Sequence, residues 1–171
     1  MSDLRTQLGA LLIDRVCLMG VGNPDYGDDG LGVRLAEALQ AKDVPDVVVA
    51  GTTPERWIGW VTSERFPVLL FLDAVDFGGS PGSLVFMNSN EIAERFPQIS
   101  THKMSLGLLA QYAETNGGIR VWLLGAQPET LKPCFQLSPA LQTTLSSTCE
   151  LICELAAGRL RAATGAPGGV G

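Results

Sequence analysis

Three polar residues stand where a catalytic site would need them: Asp29, Asp73 and His102. Asp29 lies in Gly20-Val21-Gly22-Asn23-Pro24-Asp25-Tyr26-Gly27-Asp28-Asp29-Gly30, between an apolar run and a helical pattern. Asp73 ends the most apolar stretch, Val68-Leu69-Leu70-Phe71-Leu72, and His102, in Ser100-Thr101-His102-Lys103, is the one histidine of the chain. Each has an ordinary explanation by itself. Acids at a helix start cap orphan amides and favour the dipole, which accounts for Asp28 and leaves Asp29 to point into a crevice. Asp73 reads equally well as an Asx turn, and a lone loop histidine as a solvated side chain. Together, two carboxylates and an imidazole suit a divalent metal such as nickel or zinc, with positions left open for water or substrate. Without a metal, a carboxylate can still serve as general base for hydrolysis. These residues leave both chemistries open.

Other chemistries are disfavoured. Gly20-Val21-Gly22 is followed by Asn-Pro-Asp rather than by the third glycine of a dinucleotide fingerprint, so a nucleotide-binding enzyme is a weak reading. The 12 Lys and Arg are scattered over a chain of net charge −6, which provides no cationic cluster for nucleic acid. Cys17, Cys134, Cys149 and Cys153 form no CxxC, which argues against a structural zinc site. Cys149 and Cys153, four apart in a helical pattern, read as small apolar packing. No apolar run approaches the roughly 20 residues of a membrane span, and no signal peptide is visible, so a cytoplasmic protein without membrane insertion is expected.

The elements that must position these residues follow from periodicity. With 171 residues, 46% of them apolar, the chain is expected to form a single domain over 1–163 and a Gly-rich mobile tail over 164–171. Leu4, Leu8, Leu11 and Leu12 predict a short amphipathic helix. Val16 to Val21 and Val47 to Val49 predict strands flanking a helix that carries Leu31, Leu35, Ala38 and Leu39. Thr53-Pro54 has the form of an N-cap with proline at the first helical position, and Trp57, Trp60 and Val61 share one face of that helix, as packing. Val68 to Leu72 is a buried strand stopping at Asp73, and Ser83 to Met87 an edge strand. Helices are expected at Glu91 to Phe96 and Met104 to Glu114, a strand at Ile119 to Leu124, and a long helix capped by Ser138-Pro139. This alternation predicts an α/β fold: a three-layer αβα sandwich around a mostly parallel twisted sheet of about five strands, with one antiparallel edge. Ligands of such folds sit past the carboxyl ends of the strands.

Four segments, in order over about residues 16 to 155, resemble the nickel–iron hydrogenase maturation endopeptidases. They are Gly20-Val21-Gly22-Asn23 through Gly27-Asp28-Asp29-Gly30-Leu31-Gly32-Val33; Leu72-Asp73-Ala74-Val75-Asp76 with Pro81-Gly82; Ser100-Thr101-His102-Lys103-Met104-Ser105-Leu106; and Leu124-Gly125-Ala126-Gln127-Pro128-Glu129. The resemblance implies cleavage of a C-terminal extension from a hydrogenase large-subunit precursor after nickel insertion. It implies that Asp29, Asp73 and His102 contact nickel and carry catalysis, the nickel arriving with the precursor. Aspartate rather than glutamate at position 29, and the residues around His102, resemble the formate hydrogenlyase branch. Ala50-Gly51-Thr52 departs from the family, where an acid commonly precedes the glycine, so no catalytic role passes to Ala50, while Gly51 and Thr52 are expected to line the crevice. A maturation chaperone that docks the loaded precursor without cutting it is the competing reading.

Overall fold

Val16–Val21 (β1) and Val68–Ala74 (β3) are apolar at nearly every position, a pattern that needs cover on both faces. The computed structural model, which describes residues 3–95 and 105–165, provides that cover. In chain order the elements are α1 (Leu4–Leu11), β1, a 3₁₀ turn at Gly27–Gly30, α2 (Leu31–Gln40), β2 (Val47–Gly51), α3 (Glu55–Ser63), β3, β4 (Leu84–Asn88), α4 (Ser89–Arg95), α5 (Leu106–Gly117), β5 (Arg120–Ala126) and α6 (Pro139–Thr164). The sheet order is β2-β1-β3-β5-β4, and every pair is parallel except β4 with β5.

Alternation along each central strand divides the core in two. Met19, Phe71 and Leu123 meet Ile58 and Val61 of α3, Ile92 of α4 and Leu109 and Ala110 of α5. Leu18, Leu70 and Leu124 point the other way, onto Leu8 and Leu11 of α1, Leu35 and Leu39 of α2, and Cys149 and Ile152 of α6. Each large apolar side chain so buried stabilises the fold by about 1.5–3 kcal/mol. Two buried layers on one sheet make the three-layer sandwich. Cys17 belongs to this core, and burial pushes its thiol up to about 12; burial also raises Cys149, in keeping with packing roles.

Local capping signals hold at α5 and α6 and fail at α3. Ser138 caps α6, its hydroxyl accepting from the Leu141 N–H, and Ser105 caps α5 in the same way toward Leu108. At α3, however, Pro54 is the N-cap residue and no side chain caps the helix, so Thr53 does not have the expected role. That helix buries Ile58 and Val61, while Trp57 and Trp60 are 37% and 39% exposed on its flank. They still pack: Trp57 sits edge-on to Trp60 at 6.0 Å, and Trp60 lies on Phe66 at 5.5 Å. Helix α6 continues through Thr164 and closes at Gly165, with φ of 63°. Residues 166–171 of the expected tail, with Phe96 and Met104, lie outside the described residues. Among the described residues no helix is long and apolar enough to cross a membrane.

Candidate active site

From β1 the chain crosses to β2 on one side, while β3 lies on the other. The divergence leaves a crevice past the carboxyl ends of β1 and β3, the usual ligand position of an open α/β sheet. Asp29 follows β1 and Asp73 is the penultimate residue of β3. They converge there, each 7% exposed.

Two glycines permit that convergence. A Cβ on Gly32, in the first turn of α2, would fall 2.0 Å from the Leu72 carbonyl oxygen and 2.3 Å from that of Val21. The helix start therefore rests directly on the ends of both strands. Gly22 has a φ of 131°, and a Cβ there would lie 1.9 Å from the Asp29 carbonyl oxygen and 3.6 Å from Asp73 Oδ1. The turn carrying Asp29 thus passes against the Asp73 carboxylate. Only glycine combines that dihedral with that approach.

The electrostatics are those of a site crowded with negative charge. Asp29 Oδ2 accepts from the Asn23 N–H at 2.9 Å, and Asp73 Oδ1 from the Ala74 N–H at 2.8 Å. Burial first, and then the neighbouring Asp29 charge, push Asp73 well above the ordinary carboxylate range; the Ala74 N–H opposes them. Nor does Asp73 stop its strand in an Asx turn, because Asp73 and Ala74 pair with Gly125 and Ala126 of β5. Along β3 it shares the face of Leu69 and Phe71, toward the layer of α3, α4 and α5. A cavity of about 30 Å³ bounded by Asp73, Ile92, Leu106, Gly107 and Leu123 has room for a water or a bare ion. Asp73 therefore borders the first turn of α5. His102, three residues ahead of the Ser105 cap, lies outside the described residues. Among the described residues no set of three His, Cys, Asp or Glu is gathered that could hold a metal.

Asp28 corrects the expectation of a helix-start cap. Fully buried, it makes no cap bond to its own turn. Its carboxylate instead accepts from the N–H groups of Glu129 at 2.8 Å, Thr130 at 3.2 Å and Ser138 at 2.7 Å, and from the Ser138 hydroxyl at 2.9 Å. Four donors from a distant loop outcompete the local amides. Gln127 is a second support that sequence reasoning noticed only as part of a motif. Its Oε1 accepts from the Phe77 and Gly79 N–H groups, and its Nε2 donates to Asp76 Oδ1, fastening the loop after β3 to the end of β5. The signal was its place, immediately past a central strand. Ala50 packs in the core, Gly51 accepts from the Gly22 N–H at 3.0 Å beside the crevice, and Thr52 is exposed.

A hydrogenase maturation protease family model, HycI, matches residues 33–155. The chain is 38% identical over 114 residues to the hydrogenase 3 maturation protease of Escherichia coli K12, covering 66% of this chain and 72% of that one. The chain belongs to the hydrogenase maturation protease family. Among solved members, the [NiFe] hydrogenase maturation protease HycI from Thermococcus kodakarensis superposes with a TM-score of 0.74 at 28% identity, over 84% of this chain and 93% of that one. The endopeptidase HycI from E. coli gives 0.69 at 31% identity, over 79% and 86%. The family places this fold among peptidases.

Proposed function

We propose that this member of the family is a cytoplasmic endopeptidase that removes the C-terminal extension from the nickel-loaded large-subunit precursor of a nickel–iron hydrogenase. The observation that carries the reading is the pair of buried carboxylates, Asp29 and Asp73, at the point where β1 and β3 diverge. Two acids this close favour a cation or a shared proton between them. In this reading the precursor brings nickel on its own cysteine thiolates, and Asp29, Asp73 and His102 complete its coordination. What supports including His102 is its place in the sequence, three residues ahead of the Ser105 cap, whose helix α5 borders Asp73 with its first turn. Oxygen and nitrogen ligands hold nickel less firmly than thiolates, so the ion is read without being extracted. Precursor lacking nickel would meet uncompensated negative charge and dock poorly.

Hydrolysis needs a water at the scissile carbonyl and an acceptor for its proton. A carboxylate of the pair takes that proton as water attacks, then returns it to the departing amine, with nickel holding the substrate in place. The test mixes nickel-loaded and nickel-free precursor with wild type, Asp29→Asn, Asp73→Asn and His102→Ala, read by mass spectrometry. Wild type should cleave only the loaded form, and each variant should lose about 10²–10⁴-fold in rate. Equal cleavage by all four proteins would refute the assignment. An unchanged mass with a stable wild-type complex would instead establish the docking chaperone.

A further inference from the structure

Next to the crevice, large apolar side chains face solvent. Tyr26 is 45% exposed, Leu131 45% and Phe135 75%. They lie on two segments bonded side by side. Tyr26 bridges to Cys134, the Cys134 N–H donates to the Asp25 carbonyl at 2.9 Å, and the Gly27 N–H donates to the Cys134 carbonyl at 2.7 Å. The Asp28 N–H donates to the Thr130 carbonyl, and Arg34 of α2 donates to the Phe135 carbonyl. With the four bonds to the Asp28 carboxylate, the 129–138 loop is held rigidly, though its apolar side chains are left in water.

We propose that Tyr26, Leu131 and Phe135 form the docking platform for the folded body of the large-subunit precursor, meeting an apolar patch beside its C-terminal extension. This rests on the peptidase reading and adds where the substrate is gripped. The occupant follows from continuity with the crevice. Asp29 and Asp73 are each 7% exposed, so a substrate segment must pass the rim to reach them. Tyr26 lies on the turn that carries Asp29, and the loop of Leu131 and Phe135 is bonded to that turn. Exposed apolar groups beside a site mark a contact surface, and aromatic anchors dominate such contacts. A loop already fixed loses little freedom on binding.

Cys134, a free and exposed thiol between Leu131 and Phe135, supplies a probe. Modification of Cys134 by N-ethylmaleimide is followed by mass spectrometry with and without nickel-loaded precursor encoded in the same genome, using the wild type. KM and kcat are measured for Phe135→Ala and Leu131→Ala. Precursor should slow Cys134 labelling at least tenfold in the wild type. Phe135→Ala should raise KM about 10–30-fold, with kcat at saturating precursor within twofold. Unchanged labelling with unchanged KM overturns the platform. Concentration-dependent protection without precursor, with KM unchanged, overturns it in favour of a second copy of the chain. Protection of Cys134 without any cleavage by wild type would sustain the platform while the peptidase reading fails.

Discussion

Asp28 and Asp29 are adjacent, both buried, and opposite in what surrounds them. Asp28 is met by four donors from one loop, the arrangement that stabilises a buried carboxylate. Asp29 is turned against a second buried carboxylate, which costs stability. One residue apart, the chain passes from a group that secures the fold to a group that the fold must hold against repulsion. Stability and chemistry are therefore separable here by substitutions at neighbouring positions.

The largest expected effect is on turnover. Asp29→Asn and Asp73→Asn should each reduce single-turnover cleavage of nickel-loaded precursor by about 10²–10⁴-fold, and both should remain folded by circular dichroism. Asp28→Ala should show the reverse emphasis. It leaves the N–H groups of Glu129, Thr130 and the buried Ser138 without their acceptor, so urea unfolding should report a loss of about 3–5 kcal/mol. A loss as small as that of a surface substitution would dissolve the contrast between the two acids.

Gly22→Ala sharpens the comparison from the backbone side, forcing a side chain into a φ of 131° against the Asp29 carbonyl. It should cost about 1–3 kcal/mol in thermal or urea unfolding, and turnover should fall further than stability alone explains. The smallest effect has the opposite sign. A carboxyl whose folded pKa is raised makes the native state progressively less stable as pH climbs from the unfolded value, 3.8, toward the folded one. Asp73→Asn removes that penalty, so the metal-free variant should melt about 2–4 °C above wild type for each kcal/mol relieved, measured by calorimetry at neutral pH. A lower Tm would mean that Asp73 is not held against its neighbour.

Most of the layered fold was legible in local pattern. β1 begins and ends where the apolar run Val16 to Val21 does, and α2 follows Leu31, Leu35 and Leu39. Burial selects residues by type and spacing, and both are written in the chain. Two of the three failures share one cause, a distant partner. Thr53 looked like a cap, Asp28 like a helix-start acid and Asp73 like the end of a strand. The first found no cap bond, the second was taken by the 129–138 loop, and the third was carried on by β5. At the candidate site, type and motif singled out Asp29 and Asp73, whereas Gly22 and Gln127 gain their meaning only from what lies against them.

From the amino-acid order alone came the alternation of strand and helix, the one antiparallel edge, and the short list of acids worth examining. Periodicity and composition act over a few residues, so these survive without knowledge of neighbours. Tertiary structure decided which of two adjacent acids would be saturated with donors and which would face Asp73. A carboxylate's role depends on the groups within a few ångströms, and here those groups come from positions up to 110 residues away, brought in by the parallel pairing of β1 with β3 and the return of the chain into α6.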